Sequence, residues 1–332
     1  MRVFKKNDLE ANLLRDATVA VLGYGNQGHA HALNLRDSGA HVVVGARRGG
    51  KGWRWAEADG FRPTGVGEAV GAAQCVVVLL PDEIQRDVFS REIGPHLAPE
   101  SVLVFAHGFS VAFGLVTAPK ENDVVLVAPK GQGHYLRKMY SEGDGVACLV
   151  GVDNDASGRA LEKALSYAEL LGCLRAGAME ATFRDEAVTD LFGEQAVLCG
   201  GVPALVKMAF ETLVEKGYPP EVAYIECLHE LKIITDLMHE GGISYMRERI
   251  SRTAAWGSFL AEREVASDAL KSTMESILEN IESGAFAGEW QIEASSGAPR
   301  LRECIEKETG HPIERAGAAA RALTQRSKEE NS

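Results

Sequence analysis

The apolar residues of this chain follow two different periods, and the change comes near residue 181. In the first part they form short, valine-rich runs bounded by turn residues: Thr18-Val-Ala-Val-Leu22, His41-Val-Val-Val-Gly45, Gln74-Cys-Val-Val-Val-Leu-Leu80, Val102-Leu-Val-Phe-Ala106, Val124-Val-Leu-Val-Ala128 and Ala147-Cys-Leu-Val-Gly-Val152. Such runs predict strands buried on both faces, as in a parallel sheet flanked by helices. The run at Ala147–Val152 reads as the last strand, with a further short one expected near Arg62-Pro-Thr. Asp155–Leu171 reads as a crossover helix capped by Asp155. After Thr182 the strand pattern stops. Helical periodicity predicts helices over Glu186–Lys216, Val222–His239, around Met246–Glu264, Ala269–Ser283 and Gly317–Arg326, punctuated by Gly217-Tyr-Pro-Pro and Gly241-Gly242. The expected architecture is an α/β Rossmann-type domain over residues 1–181, followed by an all-α domain over 182–332.

Several of the turns carry chemistry. Thr18–Leu22 runs into Gly23-Tyr24-Gly25-Asn26-Gln27-Gly28 and then into a helix-forming stretch. Strand, G-x-G-x-x-G and helix, in that order, form a dinucleotide-binding fingerprint. The glycines make the tight turn and let a pyrophosphate approach the free N–H groups of the helix. The plainer alternative is a glycine-rich turn with no ligand. His29 and His31 read as packing or helix-surface residues. At the end of the next strand an acid would bind a ribose 2′-hydroxyl, but this chain has Ala46-Arg47-Arg48-Gly49-Gly50-Lys51. Three cations suit a 2′-phosphate, so NADPH is expected over NADH, against the alternative of a solvated basic loop. Asp82–Gln85, His107 and Lys130 each follow a strand, at the carboxyl ends where open α/β sheets bind ligands.

In the helical part, Glu186, Asp190 and Glu194 fall at i, i+4 and i+8, so an α-helix places them on one face. Like charges at that spacing repel by roughly 0.2–0.5 kcal/mol per pair, and no Lys or Arg lies between them to relieve it. Glu226 and Glu230 repeat the spacing inside the apolar stretch Val222–Met238. Two acid pairs on apolar helices suit hard divalent cations such as Mg²⁺. Solvated helix faces are the alternative.

Composition narrows the field. The net charge of −12 over 332 residues argues against a basic nucleic-acid surface. The six cysteines include no C-x-x-C pair and lie mostly in apolar runs, as reduced core thiols of a cytoplasmic protein would. The amino terminus has no apolar signal region, and no apolar run reaches about 18 residues, so no membrane span is expected. A disordered tail is expected only in the last residues, Ser327–Ser332.

Longer motifs add to this: Gly23-Tyr-Gly-Asn-Gln-Gly-His-Ala-His-Ala-Leu-Asn-Leu-Arg-Asp37, Ala106-His-Gly-Phe109, Val127-Ala-Pro-Lys-Gly-Gln-Gly-His134, Thr189-Asp-Leu-Phe-Gly-Glu-Gln-Ala-Val-Leu-Cys-Gly-Gly201 and Glu226-Cys-Leu-His-Glu-Leu-Lys232. Together they resemble the ketol-acid reductoisomerases of the short class I form, over nearly the whole chain. The resemblance implies two Mg²⁺ ions held by Asp190, Glu194, Glu226 and Glu230. It makes His107 the catalytic histidine, Lys130 the lysine beside the metals and Ser251 a substrate contact, and Glu230 is a candidate base. Cofactor contacts would come from Tyr24, Gly25, Asn26 and Gln27, from Arg47, Arg48, Gly50 and Gly52, from Asp82, Glu83, Ile84 and Gln85, and from Gly133. The implied reaction is alkyl migration in 2-acetolactate or 2-aceto-2-hydroxybutyrate, followed by NADPH reduction to the 2,3-dihydroxy acid, in branched-chain amino acid biosynthesis. The resemblance also implies a knotted helical domain and a homodimer or higher oligomer. In it, Glu226 and Glu230 of one subunit meet Asp190 and Glu194 of the other.

The chain departs from the family pattern in two places. Gly50 and Gly52 stand where cofactor-loop serines are usual, which removes two hydroxyl donors. Arg249-Ile-Ser251-Arg252-Thr-Ala-Ala255-Trp256 keeps Ser251 but replaces an acid by Arg252 and a Glu by Ala255. Three alternatives follow: a diverged paralogue acting on a different 2-hydroxy-3-keto acid, a metal-independent 3-hydroxyacid-type dehydrogenase, and a catalytically silent cofactor-binding paralogue.

Overall fold

A computed structural model of the chain describes residues 1–329, with the backbone alone from residue 323. The expected tail therefore falls partly outside the described residues, at 330–332. The chain forms two compact units, Met1–Thr189 and the remainder from Asp190.

The first unit runs β1 (Val3–Phe4), β2 (Thr18–Leu22), α1 (Asn26–Asp37), β3 (His41–Gly45), α2 (Lys51–Ala58), α3 (Val66–Gly71), β4 (Cys75–Val78), α4 (Asp82–Val88), β5 (Val102–Phe105), α5 (Phe109–Ala112), β6 (Asp123–Pro129), α6 (Gly133–Ser141), β7 (Cys148–Asn154), α7 (Ala160–Leu170) and β8 (Ala178–Glu180). Its strands form one sheet in the order β1-β8-β7-β6-β5-β4-β2-β3. From β3 to β6 the pairing is parallel. Alternate residues of each strand enter opposite cores: Val19, Val21, Val102 and Val104 pack on one face of the sheet, and Ala20, Leu22, Leu103 and Phe105 on the other. Burial on both faces is why these strands read as continuous apolar runs.

The expected strand near Arg62 is a single bridge from Gly45 to Thr64. Ala147–Val152 does not contain the last strand. β7 turns antiparallel to β6 and is followed by β8, with β1 added at the edge. The crossover helix begins at Ala160 rather than Asp155, although the Asp155 carboxylate still accepts the Ala160 N–H at 2.9 Å.

His31 lies in α1 in the core, wholly buried, with Nδ1 2.8 Å from the Tyr167 hydroxyl. Its Nε2 has no partner among the described residues. Burial lowers its pKa to about 3. Below about 6.5 the unfolded chain binds a proton that the native chain refuses, so stability falls with pH down to the native value. Unfolding free energy of the parent is expected to drop about 2 kcal/mol further than that of His31→Gln between pH 7 and pH 5. Denaturant titrations at both pH values check this, and parallel slopes would contradict it.

The helical stretch that leads into the second unit begins with α8 (Phe183–Gly193), which ends the first unit and enters the second. It continues through a π-helical turn (Glu194–Leu198) into α9 (Gly201–Glu215). Then come α10 (Pro220–Tyr224), a second π turn (Ile225–His229), α11 (Leu231–Arg249), α12 (Arg252–Val265), α13 (Asp268–Glu282), α14 (Ala285–Ser295), α15 (Pro299–Thr309) and α16 (Pro312–Glu329). The two long helices expected from Glu186 and Val222 are thus each interrupted by a wide turn. α11 also kinks at Gly242, whose φ is 88°. A small core joins Val206, Phe210, Ala223, Tyr224, Ile313, Ala316 and Ala320.

Many large side chains of this unit stay exposed, among them Leu198, Met208, Ile233, Ile243 and Trp256. The helical run Phe183–Glu215 is long and apolar enough to cross a membrane by length and composition, with a mean hydropathy of 1.6. That differs from the expectation, because glycines and single charges break an uninterrupted run without lowering a window's average. Length and composition alone do not separate a spanning helix from one covered by protein. Of the cysteines, Cys75, Cys148 and Cys173 are core thiols, Cys199 and Cys304 are exposed, and Cys227 lies between these classes.

Candidate active site

The strand order reverses at β2, which lies between β3 and β4, and a cleft of about 1130 Å³ opens there. Such a switch point is where doubly wound sheets bind ligands. Gly23 takes φ 93°, and a Cβ on it would lie 2.6 Å from the Leu79 carbonyl oxygen. A Cβ on Gly28 would lie 2.0 Å from the Gly23 oxygen. Only glycine lets the loop close against both the strand and the helix.

Of the expected cofactor residues, Tyr24, Gly25, Asn26, Gln27, Arg47, Gly50 and Gly52 line the cleft. Arg48 is exposed, over the Trp53 ring. Asp82, Glu83, Ile84 and Gln85 form the first turn of α4, directly after the lining residue Pro81. Gln85 is buried and donates to the Leu80 carbonyl at 2.8 Å. Gly133 opens α6, where a Cβ would strike the Asn26 oxygen at 2.0 Å, so its place is behind the glycine loop.

The cleft also holds residues that sequence patterns did not single out: Trp53, Trp55 and Asp59, with His29. Asp59 accepts the Tyr24 hydroxyl at 2.9 Å and lies 3.3 Å from His29 Nε2. Burial, and then the bond to Asp59, raise the Tyr24 pKa well above its usual value, so the phenol stays neutral.

A second constellation lies where β5 and β6 end and α8 begins. Glu186 is 1% exposed. Its Oε2 accepts His107 Nδ1 at 3.0 Å and the Gly108 N–H at 2.6 Å, and its Oε1 accepts Lys130 Nζ at 2.6 Å. A Cβ on Gly108 would sit 2.2 Å from the Phe183 oxygen, so only glycine lets α8 come this close. Burial works to raise the Glu186 pKa, but the His107 bond and the charges of His107 and Lys130 outweigh it and hold the group at about 2. The carboxylate is therefore ionised and accepts only. His107 must donate from Nδ1, so Nε2 is the nitrogen whose role, acceptor or second donor, follows the charge of the ring. The charge repulsion expected along α8 is relieved from the sheet, by Lys130 and His107. One turn on, Asp190 brings a carboxylate oxygen to the same place: ligand atoms of His107, Glu186 and Asp190 all lie within 4.8 Å of one another.

The remaining predicted residues belong to the second unit. Glu194 opens the π turn at Glu194–Leu198 and is exposed. Glu226 lies in the π turn at Ile225–His229 and Glu230 closes it; both are exposed, and their carboxylates make no hydrogen bond or ion pair among the described residues. Ser251 caps α12, its Oγ accepting the Ala254 N–H at 3.1 Å. Four carboxylates, with no thiol or imidazole in the set, are hard oxygen donors, so the donor chemistry fits Mg²⁺.

Residues 13–177 match the family model described as acetohydroxy acid isomeroreductase, NADPH-binding domain. Residues 183–326 match the one described as ketol-acid reductoisomerase, C-terminal domain. The chain belongs to the ketol-acid reductoisomerase family. Its structure is similar to that of an NADH-preferring ketol-acid reductoisomerase from an uncultured archean, at 42% identity and a TM-score of 0.94, covering 97% of this chain and 99% of that one. A semialdehyde dehydrogenase NAD-binding protein from Cupriavidus necator, at 16% identity, TM-score 0.61 and coverage of 81% and 99%, shares the fold. So does a putative oxidoreductase from Jannaschia sp. CCS1, at 16%, 0.59 and coverage of 80% and 98%. Membership makes the chain an NAD(P)-dependent oxidoreductase and isomerase that uses a nicotinamide cofactor.

Proposed function

We propose that the protein is a Mg²⁺-dependent ketol-acid reductoisomerase of branched-chain amino acid biosynthesis. It converts 2-acetolactate or its ethyl homologue to the 2,3-dihydroxy acid. The observation that carries this reading is the buried Glu186 gathering His107 and Lys130 one helical turn from Asp190. Two Mg²⁺ ions, held by Asp190, Glu194, Glu226 and Glu230, would polarise the ketone and stabilise alkoxide charge as Lewis acids. The protein's own groups do the rest. Glu186 fixes the His107 tautomer and holds the Lys130 ammonium in place. Glu230, whose carboxylate has no partner among the described residues, is the base for the tertiary hydroxyl proton. The Ser251 oxygen is occupied by the Ala254 N–H, which leaves its hydroxyl hydrogen to donate to the substrate carboxylate.

NADPH is the cofactor of this reading, because Arg47 and Lys51 line the cleft beside Arg48. NADH is the second reading. It is favoured by the NADH-preferring relative and by Gly50 and Gly52, which offer no hydroxyl. Glu226 and Glu230 would reach Asp190 and Glu194 of a second copy, and the exposed apolar residues of the helical unit would be covered there, in a cytoplasmic homodimer whose helical domain follows the family's knotted path. Turnover of 2-acetolactate is expected with NADPH and Mg²⁺, at a kcat/KM above that with NADH, and EDTA should abolish it. Activity that survives EDTA would favour a metal-independent dehydrogenase. Binding of cofactor without turnover would favour a silent paralogue.

A further inference from the structure

α2 carries much of the cleft's charge on little packing of its own. At 8 residues it is shorter than the roughly 12–15 at which an isolated helix becomes stable in water. It buries a single residue, Ala56. Yet Lys51, Gly52, Trp53, Trp55 and Ala58 of this helix line the cleft. Its indoles seat two cations: Lys51 Nζ lies 4.2 Å from the centre of the Trp55 ring, and the Arg48 guanidinium 5.7 Å from that of Trp53. Where α2 lies therefore decides where these charges are presented.

Both ends of α2 meet one residue of the glycine loop. At the first turn, a Cβ on Gly52 would lie 3.1 Å from the Tyr24 carbonyl oxygen and 3.3 Å from the Tyr24 Cβ. At the far end, the capping residue Asp59 accepts the Tyr24 hydroxyl at 2.9 Å. Tyr24 is 2% exposed, and a bond from a buried hydroxyl to a carboxylate counts for more than a surface contact. His29 Nε2, 3.3 Å from the same carboxylate, and Arg36, which donates to the Asp59 carbonyl at 2.6 Å, hold this end from α1. Both lie in solvent, where contacts of charged side chains contribute little. We propose that Tyr24 and Asp59 are positioning residues that set cofactor preference: their hydrogen bond latches α2 to the glycine loop, and so fixes Lys51 and Arg48 where a ribose 2′-phosphate would meet them. The proposal rests on the reading of NADPH as the cofactor.

The test titrates the full chain with NADPH and with NADH, followed by cofactor fluorescence. Tyr24→Phe keeps the ring and removes the bond. It should raise the NADPH dissociation constant about tenfold and that of NADH about twofold, so that the preference for NADPH falls about fivefold. Asp59→Ala should do the same, and the double variant should lose no more than either alone. Asp59→Asn keeps an acceptor for the phenol, so it should stay within about threefold of the parent. Hydrogen exchange gives a second reading. In Tyr24→Phe the Arg54 and Asp59 amides, bonded to the Gly50 and Trp55 carbonyls, should exchange about tenfold faster, and the Ala69 amide of α3 should not change. A bond that only stabilises the fold would lower the melting temperature and leave the ratio of the two cofactor affinities as it is, which overturns the proposal. Additive losses in the double variant overturn it too. So does tighter NADPH binding in Asp59→Ala, because the carboxylate would then face the phosphate itself. A parent that prefers NADH overturns the NADPH reading alone, and the latch is then decided by whether Tyr24→Phe still lowers the ratio. A parent that binds neither cofactor overturns both.

Discussion

Glu186→Ala is expected to lower kcat by about 10³-fold, within the range that a positioned acid or base contributes, while the cofactor dissociation constant stays within about twofold. The side chain accepts from His107 Nδ1, Gly108 N and Lys130 Nζ, none of which is among the residues lining the cleft. Its loss leaves two cationic or titratable groups and one backbone N–H without their acceptor. The imidazole then loses the acceptor of its Nδ1, and Lys130 the carboxylate 2.6 Å from its ammonium. Removing one partner of a buried charged network costs about 3–5 kcal/mol, so the melting temperature should fall as well. Glu186→Gln tests charge against volume. An amide oxygen can accept one of the three donors, but the amide NH₂ must face another, so the variant should resemble Ala in kcat and lie closer to the parent in stability. Kinetics with saturating cofactor, a cofactor fluorescence titration and a thermal melt separate these effects. A Glu186→Ala enzyme with near-parental kcat would remove Glu186 from the reaction.

The role of Glu186 could not be read along the chain. In sequence it is the first of three acids on one helix face, with nothing nearby to neutralise it. Its partners lie 79 and 56 residues away, at the ends of β5 and β6, and only the close packing of Gly108 against Phe183 brings them together. The sheet was legible where burial on both faces leaves a continuous apolar run, as at Val19–Leu22 or Leu103–Phe105. It was not legible at β1 and β8, which span two and three residues. Segments that short carry no period, and their pairing is decided by tertiary contact. α15 escaped notice for a related reason. None of its residues is buried, and its apolar side chains, Leu301, Cys304 and Ile305, span little more than one turn, too short a stripe to mark a helix. The glycine loop was readable because its spacing is fixed by the turn it makes. Trp53, Trp55 and Asp59 were not, because α2 folds them over the cleft from a position that no turn rule specifies. The π turns were hidden as well, since an i, i+4 pair looks the same in sequence whether the turn between its members is narrow or wide.

Asp190→Asn is expected to abolish both halves of the reaction, each by about 10³-fold or more. A Lewis-acid contact contributes several kcal/mol, and about 1.4 kcal/mol is a factor of ten in rate. The substitution keeps the size of the side chain and removes its charge, so the Glu186 contacts with His107 and Lys130 should persist, and cofactor affinity with them. The halves can be separated by supplying the isomerised 3-hydroxy-2-keto acid, which needs only hydride. If Asp190 served migration alone, the variant would still reduce that compound. Loss of both activities, with Mn²⁺ binding weakened in parallel, is the pattern expected when one carboxylate holds a cation that both steps use. Reduction retained at the parental rate would divide the site into two and leave Asp190 to isomerisation. Isomerisation retained would sever Asp190 from the metal altogether, and the acids at Glu194, Glu226 and Glu230 would then need another account of why exposed carboxylates cluster on two interrupted helices.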